Sequence, residues 1–170
     1  LAAFVFGGAL AQYPIGWLAD KFDRRWVLIW QSVAAIISCM VTNVIVDAGT
    51  TAIMIGAAFF GLTTFPIYSV AAAHAHDFAS DDERVELSAA LMFFFALGAI
   101  ASPLLSSSLI NWYGPSALFI MIACGHAVLV VFGLLRMRAR DTVSERTPYV
   151  YAPRTSFVIG RLSKGLRRKK

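Results

Sequence analysis

The residues best suited to chemistry lie together in Gly16-Trp17-Leu18-Ala19-Asp20-Lys21-Phe22-Asp23-Arg24-Arg25, where two carboxylates and three basic groups follow a charge-free approach. Carboxylates this close to guanidinium groups form ion pairs, and the spacing suits neither a metal nor a nucleophile. His74 and His76 invite a metal reading, but residues two apart on a helix point to different faces, whereas four apart would converge. No serine–histidine–acid grouping, phosphate-cradling glycine loop or cysteine pair occurs elsewhere. The sequence therefore predicts no enzyme, no cofactor and no metal. Charge pairing remains as the chemistry of the knot.

The elements that must position this knot are apolar. Hydrophobic residues make up 58% of the chain and charged residues 15%, against roughly 45–50% and about 25% in soluble domains. Leu1 to Ala19, Trp26 to Val46, Ala48 to His76 and Leu87 to Leu135 contain no Asp, Glu, Lys or Arg. Runs of about 18 apolar residues can cross a hydrocarbon core, and Asn111 to Pro115 divides the longest run. Five spans are expected, at about 1–19, 27–46, 51–75, 86–110 and 117–136, followed by a basic tail over 137–170. They lack the alternation of barrel strands, so an all-α membrane protein with five transmembrane helices is expected. Cys39 and Cys124 fall inside spans and read as small apolar residues, not a disulfide framework. No secretory leader is evident, and the chain opens within an apolar run; a piece whose earlier spans lie elsewhere is expected.

Charge also sets the expected orientation. Lys21, Arg24 and Arg25 lie between spans one and two, Arg84 between three and four, and the other eleven basic residues from Arg136 onward. The alternate connections carry none. Basic residues accumulate on the cytoplasmic side, which predicts a cytoplasmic knot, His74–Arg84 loop and C-terminus. The same distribution argues against a nucleic-acid partner.

The knot resembles motif A of the major facilitator superfamily, a glycine, an aspartate four residues on, and basic residues around a tight cytoplasmic turn. Asp23 stands where that family usually has glycine, a departure commoner in the motif's second copy, between helices eight and nine. Gly98 to Pro103, GAIASP, resembles a helix-eleven counterpart of the antiporter Gly-x-x-x-Gly-Pro motif, with Ser102 in place of the second glycine. The wording QYPIGWLAD, FPIYSVAAAHAHDF and LFIMIA is similar to the YcaD-like group of major facilitator proteins. The resemblance reaches about Arg138 and implies a partial C-terminal bundle, helices eight to twelve of twelve. Topology alone also admits helices two to six, with the tail as the central loop. The resemblance further implies an inner-membrane secondary transporter, antiporter-like, that moves a small solute by alternating access, with a proton as candidate coupling ion. Its partner would be the N-terminal half of the same protein. The alternative is a sensor or scaffold derived from a transporter.

By that resemblance, Asp20, Lys21, Arg24 and Arg25 form a cytoplasmic gate element, with Gly16 permitting close helix approach. The residues themselves require a partner for Asp20, because an anion is disfavoured at a helix C-terminus; Arg24, Arg25 or a neighbouring helix N-terminus could supply it. Asp23 is placed to cap the next helix. Gln12 and Tyr13 before Pro14, and Thr64 and Tyr68 about Pro66, are candidate pathway residues. Their plainer readings are an interhelical bond for Gln12 and repair of proline-freed backbone for Thr63 and Thr64. His74 is a candidate coupling residue. Gly98, Ser102 and Pro103 are expected to pack and bend the fourth span. His126 and Asn43 are expected to bond to neighbouring groups. Ser80 to Glu83 fits a capping box opening the fourth span. Ser156 to Lys170 mixes apolar and basic residues as an interfacial helix on anionic lipid does.

Overall fold

The computed structural model describes residues 1–45 and 47–139; the expected interfacial helix and the tail beyond Ala139 lie outside the described residues. Six helices occur, and no strand is present among the described residues: α1 (Ala2–Lys21), α2 (Arg24–Val44), α3 (Thr50–Thr64), α4 (Ile67–His76), α5 (Arg84–Tyr113) and α6 (Ser116–Ala139). Since α3 and α4 form one 27-residue apolar stretch, five segments are long and apolar enough to cross a membrane. The expected all-α membrane fold is what the chain adopts. Helix ends move outward from the expected spans: α2 begins at Arg24, inside the knot, and α6 continues to Ala139.

The turns follow local chemistry. Asp23 caps α2, its Oδ1 accepting from the Arg25 N–H at 3.0 Å. Gly49 and Gly114 sit at φ 93° and 85° before α3 and α6, a region open to glycine without a Cβ penalty. The expected capping box is only half formed. The Ser80 hydroxyl and N–H donate to Glu83 Oε2 at 2.7 and 3.1 Å, but the helix starts at Arg84 with no side-chain cap. Residues 81–83 form a turn, so this pair closes the turn before the helix instead of its first coil.

Packing is uneven. α1 lies along α3, and α2 lies between α6 and the α3–α4 segment, whereas α5 touches only α4 and α6 appreciably. The α1–α3 crossing is a contact of backbones. A Cβ on Gly7 would collide with the Ala58 carbonyl, and one on Gly61 with the Phe4 carbonyl. Phe4 also stacks near Phe60 and Phe65 at centroid distances of 5.5 and 5.6 Å. Close approach was expected at Gly16 and Gly98, and the structure places it elsewhere: a Cβ on either would meet nothing within 4 Å. Gly16 lies more than two turns beyond the crossing, and Gly98 belongs to a helix with no buried residue. Ser102 and Pro103 are likewise exposed on α5, which runs unbroken through the proline. Large apolar side chains are exposed on every helix, as lipid-facing surfaces require.

Candidate gate and proline joint

Two polar constellations stand out in this apolar frame. The first is the knot. Arg24, at the first position of α2, donates from Nη2 to Asp20 Oδ1 at 3.1 Å, supplying the partner that the end of α1 requires. Its Nη1 reaches across to the end of α4, lying 2.5 Å from Asp77 Oδ1 and 3.0 Å from the Ala73 carbonyl. One guanidinium therefore ties three helix ends together, using the fork geometry that suits Arg to carboxylates. Its side chain is 21% exposed and that of Asp77 is 23%, against 50% for Asp20. The Asp77 arm is the better shielded, worth on the order of 1–2 kcal/mol, and the i,i+4 arm about 0.3–0.5. Arg25 pairs back to Asp23 at 3.2 Å. Lys21 folds over the Trp17 ring, 4.7 Å from its centroid.

The second constellation surrounds Pro66. Proline has no N–H, so the carbonyl four residues earlier, on Leu62, loses its helical donor. Gln31 of α2, 6% exposed, supplies the replacement: its Nε2 donates to the Leu62 and Thr63 carbonyls at 3.2 and 2.8 Å. Thr63 and Thr64 turn their hydroxyls to carbonyls one turn back, Thr64 to Phe60 at 2.8 Å and Thr63 to Phe59 and Phe60 at 3.2 and 3.0 Å. The expected repair therefore falls to Gln31 and not to the threonines, whose hydroxyls bond to carbonyls inside α3 and not to the Leu62 carbonyl that Pro66 frees.

The remaining candidates are partly assembled. The Ser69 hydroxyl lies 2.8 Å from the Pro66 carbonyl and 3.2 Å from Gln12 Oε1, and its single proton serves one of them at a time. Gln12 thus bonds between helices. Tyr13 is 83% exposed and makes no such contact among the described residues. Tyr68 reaches α5, its hydroxyl 3.8 Å from Met92 Sδ and its ring 5.2 Å from Phe95. His74 sits edge-on to Phe78 at 5.1 Å, and His76 Nε2 lies 3.3 Å from the Ser88 hydroxyl. No cluster of three potential metal ligands occurs among the described residues. The bond expected at His126 is not formed at Nδ1, which is buried without a partner among the described residues; nothing in the surrounding packing explains it. Asn43 lines a cleft between α2 and α6.

Gln31, Ser69 and Asp77 are the residues that sequence reasoning passed over. Gln31 carried a usable signal, being with Asn43 one of two amides in the charge-free run from Trp26. Asp77 had one too, as the acid closest to the end of its span.

Comparison with known proteins agrees with this architecture. The Major Facilitator Superfamily profile matches residues 1–168. An uncharacterized MFS-type transporter of Yersinia pestis (strain Pestoides F) is 34% identical over 149 residues, covering 88% of this chain and 36% of the relative. One from Enterobacter sp. (strain 638) is 30% identical over 152 residues, 89% of this chain and 37% of the relative. The uncharacterized MFS-type transporter YcaD of Escherichia fergusonii is 33% identical over 145 residues, 84% of this chain and 35% of the relative. The chain thus spans about a third of the length of these relatives. No solved structure matches it. With five membrane-length helices and a family match along nearly its whole length, the chain is an integral membrane protein of the major facilitator superfamily.

Proposed function

We propose that these helices are helices eight to twelve, the C-terminal bundle of an inner-membrane secondary transporter that moves a small solute by alternating access. The observation that carries this reading is the three-way grip of Arg24 on Asp20, Asp77 and the Ala73 carbonyl. An alternating-access protein needs one edge that can hold shut and then release. Partly exposed ion pairs suit that task, because each is worth little enough to exchange for another partner or for water. Asp20, Lys21, Arg24 and Arg25 are the gate on this reading, with Gly16 in its helix and the knot and C-terminus cytoplasmic.

The α3–α4 joint at Pro66 supplies a bend in a membrane-crossing segment, and sites in secondary transporters lie near such discontinuities. Gln12, Tyr13, Thr64 and Tyr68 are accordingly the candidate pathway residues. Only Gln12 and Tyr68 reach another helix directly. His74 is the candidate coupling residue for a proton. The exposed face of α5, with Gly98, Ser102 and Pro103, would pack against the N-terminal half of the same protein.

The test uses the full-length gene product in proteoliposomes, following internal pH across a solute library for wild type, Asp20→Asn and Asp77→Asn. Solute-dependent proton flux that falls on the order of tenfold, the equivalent of about 1.4 kcal/mol, in either variant supports the gate. Flux that ignores both substitutions reduces the knot to a topogenic turn. Proton flux and labelled-solute uptake both absent for every solute would favour the non-transporting alternative.

A further inference from the structure

A second feature of the charged edge is independent of the transport reading. Between α2, α4 and α6 lies a cleft of about 220 Å³, walled by apolar side chains including Ile29, Ala71, Leu129 and Phe132. Two guanidinium groups, Arg25 and Arg136, line it together with His74, and no carboxylate does among the described residues. Leu129 and Phe132 are 49% and 58% exposed, so the cleft opens outward along α6. We propose that this cleft binds one anionic phospholipid, with the headgroup phosphate on Arg136 beside Arg25 and a stretch of one acyl chain along the apolar walls.

The charges favour an anion. Arg25 already shares its charge with Asp23. Arg136 pairs with no carboxylate among the described residues, and its guanidinium lies against the Phe132 ring, 6.0 Å from the centroid. A phosphate would give that planar fork a bidentate partner. The size favours a lipid chain. The cleft falls below the roughly 300–1,000 Å³ of sites that enclose drug-sized ligands. A narrow groove open along one side fits a strip of hydrocarbon whose remainder stays in the bilayer. Gly133 keeps the groove clear, since a Cβ there would stand 3.3 Å from Ile29 Cγ1. Basic pockets between membrane helices hold anionic headgroups by this combination of charge and apolar wall.

Native mass spectrometry of the full chain, offered dioleoyl phosphatidylglycerol or dioleoyl phosphatidylcholine, tests the proposal. Wild type should retain the anionic lipid about fivefold better, the effect of one basic side chain at a membrane surface. Arg136→Gln should remove that preference without changing phosphatidylcholine retention. Gly133→Leu should lower retention of both lipids. A variant with the six basic residues from Arg161 to Lys170 changed to Gln should keep the preference. Equal retention of the two lipids by wild type overturns the site, as does a preference that survives Arg136→Gln. A preference lost only in the tail variant assigns the lipid to the tail and overturns it too. Arg136 is an exposed side chain near a helix end, so its variant keeps the test valid should Gly133→Leu fail to fold.

Discussion

Three membrane-length segments of this chain contain an internal proline, Pro14, Pro66 and Pro103, and the neighbours of the last two treat them differently. At Pro66 the helix breaks into α3 and α4, the proline is fully buried, and Gln31 reaches from α2 to the carbonyls left over. At Pro103 the helix continues for ten more residues, no residue of α5 is buried, and the nearby Ser106 hydroxyl bonds only to the Pro103 carbonyl of its own helix. The same residue type is therefore a supported joint in one segment and a tolerated irregularity in the other. What separates them is a donor on an adjacent helix, together with the close approach that lets it reach.

The segment that carries Pro66 is also held by α1 through glycine, and loss of that contact is the largest perturbation the comparison offers. Gly61→Leu drives a side chain into the Phe4 backbone, where neither helix can yield without separating. Overpacking of this kind costs about 3 kcal/mol or more. Gly98→Leu, with open space around it, should stay within about 0.5 kcal/mol. Thermal unfolding in detergent, followed by thiol labelling of buried Cys39 in a Cys124→Ser background, reads both. Equal midpoints for the two variants would abolish the distinction between the segments.

The joint itself gives the next effect. Gln31→Leu preserves bulk but leaves the Leu62 and Thr63 carbonyls without their side-chain donor, a penalty of about 2–3 kcal/mol. Gln12→Leu removes one exposed interhelical bond and should cost about 0.6 kcal/mol. The same labelling assay should rank Gln31 well above Gln12. If Gln31→Leu unfolds with wild type, the amide is incidental and the bend at Pro66 needs no support from α2.

This contrast also marks how far the sequence could be read. Five spans, their helical nature and the backbone freed at Pro66 were visible, because membrane-length apolar runs and proline act locally, whereas the bend expected at Pro103 did not form in an unbroken α5. The cap at Asp23 and the Asp20–Arg24 arm were visible for the same reason, being contacts of two to four residues. Asp77 was not, since its partner lies 53 residues away, and neither was Gln31, whose acceptors lie 31 and 32 residues away. Glycine misled the reading of packing. Gly7, Gly16, Gly61 and Gly98 look alike in a string, and only the crossing of α1 with α3 decides which of them touch backbone.

The smallest effect lies at the start of α5, which unlike the end of α4 is held by a local turn. Glu83 is fully exposed, and its carboxyl is held below its usual 4.5 chiefly by the Ser80 hydroxyl, with the Ser80 N–H adding to it. A carboxyl with a lowered folded-state pKa stabilises the turn above its unfolded value. That contribution fades as pH falls below about 4.5 and through the lowered folded value. Ser80→Ala removes the larger of the two donors, so the Glu83 titration should move back toward its usual value. Carbon-13 NMR of the side-chain carboxyl reads this directly, while the thermal midpoint near neutral pH should hardly change. An unmoved titration would show that the Ser80 hydroxyl does not hold the turn, and a large loss of stability would mean that this turn anchors α5 as firmly as Gln31 anchors the joint at Pro66.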